Sequence, residues 1–194
     1  MITNTTRRFW YALLSAIAFL VRYRYSKKWF WVIALVLVVG FIIPQRMIIP
    51  VKDANTKSWA EDSFWAYPWG TSITHKGIDI FAKRGTAVIS STYGIVVYTH
   101  EGGKGGKSIM VLGPKWRFHY YAHLDSNDAF AFQPLKPGTV LGTVGDTGNA
   151  KGKPPHLHYA ITTPFPYPQL YDSESIQGWK KMFYLSPDTW LRKD

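Results

Sequence analysis

A chain of 194 residues, 46% hydrophobic and 18% charged, is long enough for one folded domain with an appendage and too apolar for a disordered or collagen-like polymer. It has no cysteine, which excludes a disulfide scaffold, Cys-based zinc and iron–sulfur sites, a cysteine nucleophile and a lipidated Cys anchor. The formal net charge of +11 suggests an anionic partner, nucleic acid first, if that charge sits on the folded part.

Much of it does not. Arg7, Arg8, Arg22, Arg24, Lys27 and Lys28 stand in the first 28 residues with no Asp or Glu among them, so six of the eleven net charges lie there. Two apolar runs adjoin these charges: residues 9–21 (FWYALLSAIAFLV) and 29–43 (WFWVIALVLVVGFII). The second covers roughly 22 Å as helix, and extension to 26–45 approaches the roughly 30 Å of a bilayer core. Lys27 and Lys28 suit snorkelling, and Trp29, Phe30 and Trp31 suit an interfacial aromatic belt. No small-residue cleavage site comes after the run, so the pattern predicts an uncleaved spanning helix at about 27–44. The run at 9–21 is expected as an interfacial or second spanning helix. The basic stretch RYRYSKK (22–28) should stay cytoplasmic, which puts residues 51–194 on the extracytoplasmic, periplasmic face of the cytoplasmic (inner) membrane. The expected partners are then membrane lipids and no nucleic acid.

Residues 1–50 thus read as basic segment and anchor, 51–60 as a linker with prolines and polar residues just before and along it, and 61–194 as the folded domain. The domain shows short runs rich in Val, Ile, Thr, Tyr and Phe between Gly, Pro, Lys and Asp: 86–92, 94–100, 107–113, 116–124, 139–145 and 156–163. The pattern predicts a mainly β, antiparallel domain with one core. A helical period is suggested only near 174–184, and YLSPDTWL (184–191) reads as a closing turn.

Three short motifs are near misses. Residues 101–108 (EGGKGGKS) resemble a phosphate loop, but Glu101 replaces its first Gly and a strand-like segment comes next, so a glycine-rich hairpin is expected. His100-Glu101 lacks the second His of H-E-x-x-H, Lys104 standing there instead. Asp146-Thr147-Gly148 alone is a weak protease signature. The remaining histidines carry more. His75-x-x-x-Asp79, His119-x-x-x-His123 and His156-x-His158 form three clusters. On a strand, alternate residues share a face, which predicts one face for His156 and His158 and one for His119, Tyr121 and His123. Two imidazoles and a carboxylate leave the open fourth position typical of a catalytic zinc ion, with either His156 or His158 available as a ligand.

The segments HKGIDIFAKRGTAV (75–88), GIVVYTH (94–100), YAHL (121–124) and LKPGTVLGTVGDTGNAKGKPPHLHY (135–159) together resemble the lysostaphin/LytM-type zinc metallopeptidases. The resemblance spans about 69–159, weakening to 185, and absorbs the D-T-G. It implies the family's antiparallel fold of duplicated hybrid motif type, which here stands behind the one or two hydrophobic helices read from the apolar runs. It implies Zn²⁺ on His75, Asp79 and His158, with His123 and His156 as the catalytic pair, their base and oxyanion-holding roles interchangeable at this stage. The implied activity is an endopeptidase that cleaves peptidoglycan peptide bonds by attack of a zinc-bound water, falling off at acid pH as imidazoles protonate. Alternatives are a non-hydrolytic, membrane-tethered wall-binding or regulatory module, whose regulatory protein partner is unidentified, and a peptidase of protein substrates. His119 falls outside the motifs and is expected either to line the groove beside Tyr121 or to face solvent from its strand, and Trp65, Tyr67 and Trp69 are further aromatic groove candidates. Thr71 stands near where many relatives carry an Arg, which bears on substrate anchoring.

Overall fold

A computed structural model describes residues 27–192. The boundary between its two compact units falls after Gly40. The apolar run at 9–21 lies outside the described residues.

Helix α1 covers Lys27–Ile42. Most of its side chains from Trp29 onward are exposed and none is buried, and no polar stripe runs along it. Among the described residues no helix is both long and apolar enough to cross a membrane. At 1.5 Å per residue, α1 measures about 24 Å.

The second unit is built on an antiparallel sheet. Its strands are β1 (Ile78–Phe81), β2 (Ala87–Ile89), β3 (Gly94–Gly102), β4 (Gly106–Leu112), β5 (Phe118–Asn127), β6 (Pro134–Leu135), β7 (Val140–Val144), β8 (His156–Thr162) and β9 (Tyr184–Leu185). The main order is β1-β8-β5-β4-β3-β6, with β2 on β7, β7 on β5 and β9 on β8. The glycine-rich segment is the β3–β4 hairpin, and a strand succeeds it as the sequence predicts. The expected helical stretch near 174–184 is a short 3₁₀ turn at Gly178–Met182, and the tail closes with β9 and a one-turn helix, α2 (Asp188–Leu191).

Alternation decides which residues enter the core. Ile78 and Ile80 of β1 and Leu157, Tyr159 and Ile161 of β8 point inward with Val88, Val96, Ile109, Val111, Tyr121, Leu124, Leu141 and Val144. Their neighbours Asp79, His156 and His158 therefore project to the opposite face. Strand β5 changes partner along its length. Phe118 to Ala122 pair with β8, whereas Leu124 to Asn127 pair with β7, with a register shift between Leu124 and Ser126.

The expected linker at 51–60 is instead part of the packed unit. Val51 bridges Val88, and Val51 and Trp59 are buried in the core beside Met47. The indole of Trp59 donates to Asp188 Oδ1 at 2.6 Å, tying this segment to the tail. Isolated apolar residues among polar ones carry no period, so the sequence pattern hides this contact.

Candidate active site

The register of β1 against β8 sets Asp79 directly opposite His158 and Phe81 opposite His156. The same His158 lies opposite Ala122 of β5. His75 arrives from the turn before β1, where Trp69 stacks on its ring with centroids 4.1 Å apart. Gly77 allows that approach: a β-carbon there would stand 2.5 Å from the Tyr159 carbonyl oxygen and 2.9 Å from the His158 ring.

Three atoms converge. His158 Nδ1 is 2.8 Å from Asp79 Oδ1, His75 Nε2 is 3.1 Å from the same oxygen, and the two imidazole nitrogens are 3.1 Å apart. The Nδ1–H of His75 donates to the Ser63 carbonyl at 2.7 Å, which leaves a lone pair on Nε2 when the ring is neutral. Electron-rich atoms crowded in this way need a positive charge between them. Ligands of a tetrahedral zinc at about 2.0–2.1 Å lie roughly 3.3 Å apart, close to the spacing found. The donor set therefore fits Zn²⁺, and these are the His, Asp and His that form a metal-competent cluster among the described residues. Burial acts to raise the Asp79 pKa, but its close contacts with the imidazoles of His158 and His75 prevail and hold the carboxyl well below the usual carboxylate range. Burial pushes His158 down, against the pull of Asp79.

His123 and His156 stand beside the cluster with ring centroids 5.1 Å apart. His123 is 5.9 Å from His158 by the same measure, and His156 Nε2 is 3.8 Å from Asp79 Oδ2. Each donates Nδ1–H to a backbone carbonyl, His123 to Thr147 at 2.9 Å and His156 to Pro154 at 2.7 Å. Each neutral ring thus keeps its lone pair on Nε2. Burial, and then the charges of His158 and His156, push the His123 pKa down to about 4. A groove of about 400 Å³ holds all five residues, and Trp69, Phe81 and Tyr120 supply aromatic wall. Lys76, Lys104 and Lys153 also line it, while Asp79 is the acidic residue of the lining.

Strict alternation fails at one point. His119 and Tyr121, expected in the groove with His123, are fully buried in the core. His119 bonds to Tyr159 Oη at 2.6 Å and to Gln45 Nε2 at 2.9 Å, and the Tyr121 hydroxyl accepts from the Ser91 N–H at 3.0 Å. Tyr120 and Ala122 line the groove instead. His123 joins them because its backbone has φ 65°, a left-handed conformation that turns its side chain out of the alternation where β5 changes partner. Trp65 is buried, whereas Trp69 reaches the groove. Tyr120 and the three lysines are site residues that sequence reasoning missed; the parity of β5, counted from its core-facing residues, points to Tyr120. Asp146 of the D-T-G forms an ion pair with Arg84 at 2.5 Å, outside the groove.

Residues 73–168 match the profile of peptidase family M23. The chain is 36% identical over 128 residues to an L-Ala–D-Glu endopeptidase of Bacillus subtilis, covering 58% of this chain and 39% of that protein. It is 28% identical over 118 residues to the murein hydrolase activator NlpD of Salmonella dublin, covering 56% and 30%. The chain thus spans well under half of these curated relatives. Among solved structures, the catalytic domain of the antimicrobial peptidase lysostaphin from Staphylococcus simulans superimposes with a TM-score of 0.50 at 25% identity, covering 55% of this chain and 82% of that one.

Proposed function

From the premise of a peptidase family M23 domain across residues 73–168, we propose that the chain is a zinc-dependent endopeptidase of peptidoglycan, held at the cytoplasmic membrane by its N-terminal segment with the domain on the extracytoplasmic face. The observation that carries this reading is the convergence of His75 Nε2, Asp79 Oδ1 and His158 Nδ1 in a groove that also holds His123 and His156. When bound, the ion supplies Lewis acidity, polarising a peptide carbonyl and making water a stronger acid near neutral pH.

The chain's own residues do the rest. His75, Asp79 and His158 hold the ion. His123 has a lone pair on Nε2 and takes the proton that the attacking water loses. His156, fixed by the Pro154 carbonyl, accepts from the attacking water at Nε2 and holds it in line with the carbonyl. Trp69, Phe81 and Tyr120 give a short peptide apolar surface to lie on, and the lysines favour an anionic one. The membrane placement is supported by α1, whose run from Trp29 to Ile42 is apolar on every side, and by the basic cluster before it.

The likeness to a murein hydrolase activator supports a second reading, in which the domain stimulates another enzyme. One experiment separates them. The full chain, purified in mild detergent and loaded with zinc, is incubated with purified peptidoglycan, and the products are weighed by mass spectrometry. New muropeptide ends are expected, lost with chelator and in His158→Ala. Intact muropeptides from the zinc-loaded wild type, together with faster turnover by an added hydrolase, would establish the activator instead.

A further inference from the structure

A second cavity lies apart from the zinc cluster, in the same unit. It measures about 370 Å³ and is walled by Phe64, Tyr167, Tyr184, Leu185 and Trp190, with Arg117 in its lining. Arg117 is 3% exposed. Its Nη1 donates to Gln45 Oε1, and its Nη2 donates to the Tyr167 hydroxyl at 3.0 Å. The guanidinium lies over the rings of Trp190 at 4.5 Å and Tyr167 at 5.5 Å. Every one of these partners is neutral, and the buried Nε–H has no acceptor.

The neighbouring cations are differently served. Lys181 pairs with Asp172 at 2.7 Å, and Arg192 pairs with Asp188 and Glu61. Among the described residues no carboxylate pairs with Arg117. A buried cation is costly without a counter-charge, and π-faces with neutral oxygens offset that cost only in part. A planar guanidinium that lines an aromatic-walled cavity and has only neutral partners is suited to a carboxylate carried on an apolar body.

We propose that this cavity binds the free carboxylate end of a short peptide, the carboxylate pairing with Arg117 and the peptide's apolar side lying against Tyr184, Leu185 and Trp190. The site is independent of the peptidase reading, since none of its residues belongs to the zinc cluster.

The test is titration calorimetry on the full chain in detergent, with acetyl-Ala-Leu as probe against its C-terminal amide and against inorganic phosphate. The acid is expected to saturate, with the amide and phosphate at least about tenfold weaker. Thr189→Trp, an exposed position on the cavity wall, fills the space without touching Arg117 and should weaken the acid by a similar factor. Arg117→Met should abolish the preference for acid over amide. If Arg117→Met fails to fold, Thr189→Trp still decides. Chelation of zinc should leave the binding unchanged. No saturable heat from the acid, equal binding of acid and amide, tighter binding of phosphate, or full affinity in Thr189→Trp each overturns the proposal.

Discussion

At the scale of single residues, two buried histidines behave differently from free imidazole. His123 is held down to about 4 by burial and by its histidine neighbours, so it remains a competent base well below the ordinary range near 6.5. The loss of activity at acid pH expected from the sequence is thereby displaced. With zinc saturating, kcat should persist at pH 5.5 and fall only as pH approaches 4, and His123→Ala should cost about 10²- to 10⁴-fold in kcat. A loss below tenfold would remove the residue from the chemistry. His119 serves stability instead. Burial, and then Arg117, push it down to about 3. The unfolded chain binds this proton near pH 6.5 and the folded chain refuses it until about 3, so stability is complete above 6.5 and declines as pH falls through that window. His119→Gln should make urea-unfolding stability flatter between pH 7 and 4, by roughly 1–3 kcal/mol. An unchanged slope would mean that the buried imidazole is not the group that titrates. That a residue so polar sits in the core was not legible in its type; its partners Gln45 and Tyr159 lie 74 and 40 positions away.

At the scale of elements, the site is a matter of register. Strand alternation alone places His156 and His158 on one face, and that much was legible because β8 is regular; Asp79 joins them through the pairing of β1 with β8, a register that no residue pattern announces. Strand β5 is irregular, and the sequence offers no sign that His123 takes φ 65° where the strand exchanges β8 for β7. Counting by twos therefore leads to His119 and Tyr121, one residue out of phase with Tyr120 and Ala122. The turn into β1 has the opposite character: Gly77 stands between His75 and Asp79 because its space is already taken by Tyr159 and His158. Gly77→Ala should destabilise by about 1–3 kcal/mol and displace His158, lowering zinc affinity about 10- to 100-fold in a chelator competition. Normal affinity in a normally stable variant would show that the turn yields without moving the ligand.

At the scale of the whole molecule, charge and hydrophobicity are unevenly shared along the chain. The basic residues ahead of Trp29 and the apolar α1 were legible as a pattern, whereas the boundary of the folded unit was not, since Met47, Val51 and Trp59 enter its core from a segment of linker-like composition. The proposed placement makes a direct prediction. The full chain should remain in the membrane fraction after alkaline carbonate washing, and protease added to spheroplasts should digest the domain while sparing cytoplasmic markers. Release by carbonate, or protection from the protease, would contradict the placement. The net charge is also a poor guide to the substrate, since the cations that line the groove are Lys76, Lys104 and Lys153 beside the carboxylate of Asp79.

The hydrogen bonds that orient His75, His123 and His156 all end on main-chain oxygens, those of Ser63, Thr147 and Pro154. A main-chain carbonyl survives a change of side chain. The proton positions on His75 and His156 are therefore insulated from sequence drift at 63 and 154, where mutational scanning should find broad tolerance wherever the local backbone path is kept; at 147 the hydroxyl also accepts from the Lys107 N–H and donates to the Leu124 carbonyl, so only a residue that keeps those bonds is expected to be tolerated. Loop length between β7 and β8, which sets two of the three oxygens, is the quantity on which selection would act.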